Sequence, residues 1–148
     1  MKLTLYTDYS LRVLIYLATF NEGKLSNIKD IADSYKISKN HLMKVTYELG
    51  KMGYIETIRG RNGGIRLAKS MDEINIGQLV RKTEENIHLV ECFDAKNNNC
   101  VITPACGLKK ILAEALHAYM SVLDKYTLED LVKDPLQLRM LFQMGESE

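Results

Sequence analysis

No apolar run in these 148 residues approaches the roughly 18 that a bilayer-spanning helix needs. The opening Met1-Lys2-Leu3-Thr4 also lacks the apolar stretch of a secretion signal, so the chain is expected in the cytoplasm with no membrane partner. Cysteine is scarce and odd in number, with three residues, Cys92, Cys100 and Cys106. An odd set in a reducing compartment argues against structural disulfides. There is no C-x-x-C pair, no nucleophile set beside a base and no phosphate-cradling glycine loop. An enzyme, whether a thiol oxidoreductase or a small redox carrier, is therefore poorly served. Internal repeats are absent too, and a net charge of +1 says nothing by itself in favour of nucleic acid.

The distribution of charge is more informative. Residues 1–70 hold twelve Lys and Arg against six Asp and Glu, whereas residues 71–148 hold eight against thirteen. A basic first half suits a polyanion, and an acidic second half suits self-association or water. With about half its residues apolar, a chain of this length builds one domain with a real core plus an appended dimerisation element.

Helical spacing accounts for the first half. Leu11, Leu14, Ile15 and Ala18 mark a first helix from Asp8 to Phe20, ended by Asn21-Glu22-Gly23. Ser26 is the expected N-cap of a second helix, built on Ile28, Ile31, Ala32 and Tyr35. After Lys36-Ile37, Ser38 caps a third, with Leu42, Val45, Leu49 and Met52 inward and Gly53 at its end. Two short amphipathic helices joined by a tight turn form a helix-turn-helix. The outward face of the third helix carries Asn40, Lys44, Tyr47 and Lys51, with Lys39 and His41 beside them, and Glu48 is its one carboxylate. An ordinary solvated face mixes signs.

A hairpin follows at once: residues 54–59, a turn through Gly60-Arg61-Asn62-Gly63-Gly64, then residues 65–68. A hairpin directly after a recognition helix is a wing, and Arg59, Arg61, Arg66 and Lys69 suit phosphate or a narrow minor groove. Double-stranded DNA is the partner this arrangement implies. Asn40, His41 and Lys44 are the candidates for base edges, Lys39, Arg59, Arg61 and Asn62 for phosphate or minor groove, with Ser38 and Gly63 completing the surface.

Ile76, Leu79, Val80 and Thr83 predict a further helix beneath the wing, and residues 85–107 read as a polar loop carrying the cysteines. Thr103-Pro104 is expected to start a long helix, in which Leu108, Leu112, Ala115, Tyr119, Val122 and Tyr126 make a heptad seam. Ile111, Leu116 and Leu123 widen the apolar surface, so this helix is expected to pack on its own domain and on a second copy together. Thr127 with Asp130 predicts a capping box for a last short helix, interrupted at Asp134-Pro135, and the tail after Met140 is expected to fray.

The spacing Cys92-x7-Cys100-x5-Cys106 fits no zinc ribbon or knuckle. Inert buried thiols, a thiol switch, a zinc site completed by His88 and an iron–sulfur cluster with a non-cysteine fourth ligand all remain open on spacing alone. Cys106, near a helix start, lies where the dipole favours thiolate.

Several segments together resemble one family. Thr7-Asp8-Tyr9-Ser10-Leu11-Arg12, Ser38-Lys39-Asn40-His41-Leu42-Met43-Lys44, the stretch from Arg59 to Leu67 and three cysteines ahead of a long helix are similar to the Rrf-type winged-helix repressors. Within that family the likeness is to the nitric-oxide-sensing members, and it runs from about Lys2 to about Lys133. The resemblance implies a homodimer with crossing long helices, and a [4Fe-4S] cluster on Cys92, Cys100 and Cys106. It further implies a fourth ligand from the partner subunit at the position of Asp8. Relatives that hold a [2Fe-2S] cluster, the alternative, carry a histidine three residues after the last cysteine; here that place is Lys109, and neither His88 nor His117 matches it. The expected fold is thus mainly α with a small β-hairpin. It comprises a winged helix-turn-helix over 1–84, a cluster loop over 85–107, a dimerisation helix over 108–126, and a short helix with tail over 127–148.

Overall fold

The computed structural model describes residues 1–20 and 23–146. Helix α1 (Leu5–Thr19) starts earlier than its apolar spacing suggests, because Thr4 caps it by accepting from the Thr7 N–H. Of the break expected at 21–23, Asn21 and Glu22 lie outside the described residues. Helix α2 (Ile28–Tyr35) is capped by Asn27, whose Oδ1 accepts from the Lys29 N–H at 2.8 Å. The cap is therefore one residue beyond Ser26. Ser26 is otherwise engaged, exchanging two 2.8 Å backbone hydrogen bonds with Ile65 and tying the start of α2 to the wing.

Helix α3 (Lys39–Lys51) has Ser38 as its cap, accepting from the His41 N–H. It buries Leu42, Val45 and Leu49, and Gly53 takes the left-handed φ of +83° that releases the chain into the hairpin. Strands β1 (Ile55–Ile58) and β2 (Gly64–Leu67) pair antiparallel, from Ile55 opposite Leu67 to Ile58 opposite Gly64. In the turn, Gly60 adopts φ +111°, and a Cβ at Gly63 would lie 2.1 Å from the Ile58 carbonyl. The wing tip thus depends on two glycines for two different reasons, conformation and space.

Helix α4 (Ile76–Thr83) buries all four residues expected to face inward. Leu14, Ile31, Leu42, Leu49, Ile65, Ile74, Leu79 and Leu128 form the centre of the core, which joins the three N-terminal helices, the wing and the C-terminal segments.

The long helix α5 spans Gly107–Leu123. It does not start at Thr103: residues 103–105 form a separate 3-10 turn, and Cys106 is extended, with ψ 111°, before α5 begins. The Thr103 hydroxyl is occupied within the loop, donating to the Cys100 carbonyl at 2.8 Å and accepting from Asn98 Nδ2 at 2.9 Å. Leu116, Met120 and Leu123 pack inward on Ile76 and Val80, while most of the heptad seam faces out.

Helix α6 (Leu128–Leu131) has the expected acidic cap, the Asp130 carboxylate accepting from the Thr127 N–H at 2.8 Å. Pro135 does not merely interrupt a helix: it opens α7 (Pro135–Glu146), with Asp134 accepting from the Gln137 N–H. The frayed tail expected after Met140 is corrected here. Phe142 is 7% exposed among Tyr16, Phe20 and Tyr35, and Arg139 donates to the Thr19 carbonyl. One aromatic anchor, Phe142, holds α7 on α1 and α2.

Candidate DNA interface and cysteine loop

The first turn of α3 presents Ser38, Lys39 and Asn40 exposed, with Lys44 one turn on. His41 is half-buried because its ring meets the Tyr9 ring of α1 nearly edge-on, with centroids 4.7 Å apart. Glu48, the sole carboxylate of this face, turns aside: it lies 3.7 Å from Lys51 and near Tyr6, whose hydroxyl pKa is raised by burial and then by that carboxylate. The face is therefore basic where it is most open.

Two apolar members of this face carry no DNA role in the sequence reading: Tyr47, placed on the face by its spacing, and Met43. Tyr47 is 66% exposed, with Lys51 Nζ 5.5 Å from its ring centre, and Met43 is also exposed. For Met43 the signal is its spacing of three residues from Asn40. Both offer the kind of surface that thymine methyl groups meet in a major groove.

On the wing, Arg59, Arg61 and Asn62 are exposed and Gly63 is half-buried. Arg66 is committed elsewhere, its Nε 2.9 Å from Glu56 across the strand pair, and Lys69 lies over the Tyr54 ring. The usable cations of the wing are thus at its tip.

The cysteine loop leaves α4 at Glu84. Its carboxylate accepts from Thr4 N, from Thr4 Oγ1 at 2.6 Å and from Thr7 Oγ1 at 3.0 Å, so the loop's base is fixed to the first turn of α1. Cys92 sits in a 3-10 turn over Glu91–Phe93, Cys100 follows the asparagine tract, and Cys106 is the N-cap of α5. Side chains shape the loop locally. Asn98 accepts from the Cys100 N–H, Glu91 from the Asn99 N–H, and Asp94 from Asn97 and Lys96, which hold its carboxyl pKa below the ordinary value.

All three cysteines are free thiols, each half-buried. Among the described residues no three His, Cys, Asp or Glu side chains converge on one centre, so the thiols share a loop without forming a finished cage. Asp8 is engaged within its own helix, where Arg12 forms a two-pronged ion pair with it at 3.1 and 3.0 Å. The four-residue spacing of these two is the helical ion-pair spacing legible in the sequence.

A family model described as "Iron-dependent Transcriptional regulator", Rrf2, matches residues 3–134. The chain belongs to the Rrf2 family. It is similar to proteins named for gene control. It is 64% identical over 146 residues to the HTH-type transcriptional regulator NsrR of Bacillus subtilis (strain 168), covering 99% of this chain and 100% of that protein. The NsrR of Shouchella clausii (strain KSM-K16) is 59% identical, over 100% of this chain and 99% of its own length. Among solved structures, CymR (YrzC), the global cysteine regulator of B. subtilis, superposes with a TM-score of 0.71 at 27% identity, covering 88% of this chain and 95% of CymR. The IscR of T. potens shares the fold, with a TM-score of 0.72 at 23% identity over 90% of this chain and 88% of IscR. This Rrf2 protein is a DNA-binding transcriptional regulator, a role that is not enzymatic.

Proposed function

We propose that this regulator is a homodimeric repressor whose grip on a near-palindromic operator depends on an iron–sulfur cluster and is lost to nitric oxide. The observation that carries the reading is the set of three free, half-buried thiols on the one loop between α4 and α5, in a chain so similar to NsrR. Cys92, Cys100 and Cys106 are the protein ligands, and Asp8 of the partner subunit is the fourth. The donor set fits, because thiolates are the usual ligands of such clusters, and a carboxylate in the fourth place leaves one iron more open. When bound, the cluster supplies iron with which nitric oxide reacts.

The chain's own residues supply the linkage. Arg12, which holds Asp8, also lies 5.6 Å from the Tyr9 ring centre and 5.7 Å from that of Tyr35, and Tyr9 supports His41 of the recognition helix. Moving Asp8 between Arg12 and the partner's loop therefore alters the packing behind α3. A coupling of roughly 3 kcal/mol is enough to change affinity about a hundredfold. Dimerisation is supported by α5, whose seam residues Leu108, Tyr119 and Val122 are exposed beside Ile111 at 63%.

The test is metal analysis of anaerobically purified protein. A [4Fe-4S] cluster gives about four iron and four sulfide per chain and a brown colour, and Cys92→Ser, Cys100→Ser and Cys106→Ser should each lose it. About two iron per chain would favour the [2Fe-2S] alternative. Colourless protein with stoichiometric zinc would replace the proposal with a zinc-stabilised module.

A further inference from the structure

The end of α5 is bolted to the start of α4 more firmly than a helix crossing requires. The Asp124 carboxylate takes two bonds from Arg81, Nη1 to Oδ1 at 2.5 Å and Nη2 to Oδ2 at 2.9 Å. The Asp124 carbonyl accepts from Asn75 Nδ2 at 2.8 Å, the Tyr126 carbonyl from the Ile76 N–H at 3.0 Å, and the Ile74 carbonyl from the Leu128 N–H at 2.9 Å. Asn75 and Thr127 complete a short antiparallel bridge.

All of this closes over Gly77. A Cβ there would stand 1.8 Å from Asp124 Oδ1 and 3.0 Å from the Asp124 backbone nitrogen. Gly77 lies inside a helix and has no left-handed backbone to explain it. In such a position glycine costs about 1 kcal/mol of helix propensity relative to alanine, so its use there is to let Asp124 in. Beside the joint is a recess of about 390 Å³, walled by Phe93 of the cysteine loop together with Arg81, His117 and Asp124.

The position of this joint gives it a task. Helix α4 continues from the wing, whereas α5 carries the exposed seam, so the angle between them sets how far apart two DNA-reading heads stand in a dimer. We infer that Gly77, Arg81 and Asp124 are positioning residues that fix the spacing of the two operator half-sites. This rests on the dimeric reading above. None of the three belongs to the recognition helix or the wing, so loosening the joint should leave the reading of a single half-site intact.

The experiment uses full-length, cluster-loaded protein and a duplex selected by the wild-type protein from a random-sequence pool. Binding is measured on that duplex, on versions with one base pair inserted or removed between half-sites, and on a single half-site. Inserting one pair rotates a half-site by roughly 35° about the DNA axis. Wild-type protein should lose about a hundredfold on the altered spacings, because simultaneous engagement fails. Gly77→Ala should lose less than about tenfold on them while binding the half-site as wild type does. Arg81→Ala, an exposed change that leaves the core alone, should shift in the same direction and serves should Gly77→Ala fold poorly. Variants that keep the wild-type spacing profile would overturn the joint and leave the dimer standing. A wild-type protein indifferent to spacing would overturn the dimeric reading, and the joint with it.

Discussion

Lys39 stands in the open first turn of α3, beside the Ser38 cap and away from any carboxylate of that face. A lysine so placed acts as a point charge toward phosphate and not as a two-pronged reader of bases. Lys39→Ala should weaken binding to all DNA sequences alike and flatten the slope of log affinity against log salt by about one unit. Measuring that slope on specific and random duplexes checks it; a change confined to the specific duplex would assign Lys39 to base reading. His41 differs in kind. Its ring is fixed by Tyr9, so it combines a place on the candidate DNA face with contact to the helix that carries Asp8. That double engagement was invisible in the sequence, because Tyr9 and His41 are 32 residues apart and meet only when α1 crosses α3.

At the scale of elements, those with strong local signals were legible. The caps and apolar spacing of α3, the inward face of α4 and the glycine-rich wing were all read from local residues, because propensity and burial there point the same way. The departures occur where a residue expected to cap a helix is engaged elsewhere, through its backbone at Ser26 and through its hydroxyl at Thr103. Ser26 pairs with Ile65 and leaves Asn27 to cap α2, and Thr103 bonds within the cysteine loop and leaves Cys106 to open α5. The C-terminal helix departs most, since nothing local marks Phe142 as the anchor it becomes among three aromatic rings. Phe142→Ala should lower unfolding free energy by about 3 to 5 kcal/mol in urea denaturation. A loss under about 1 kcal/mol would return this helix to the status of a tail. For α5 the apolar seam makes the opposite forecast. Val122→Asp, on its exposed side, should convert the proposed dimer to monomer in light scattering without loss of helical circular dichroism, whereas unfolding would mean the seam serves the single chain.

For the whole molecule, the acidic half is tied to the basic half by Glu84 on the first turn of α1, by α4 and α6 packed on α1, and by α7 against α2, while the joint over Gly77 lies within the acidic half and sets α5 on α4. The cysteines lie on the loop between Glu84 and α5, so the proposed linkage would run through the first turn of α1 and the set of α5. The three thiols were legible as a cluster candidate from their number and spacing, but a complete ligand set was not, because the proposed fourth ligand comes from another subunit. The central claim is that cluster and operator binding are linked, and titration of the anaerobically purified protein with nitric oxide tests it most directly, following visible absorption and operator binding in the same samples. The account predicts that affinity falls about a hundredfold in step with loss of the cluster absorption. Operator affinity that stays constant while that absorption disappears would contradict it.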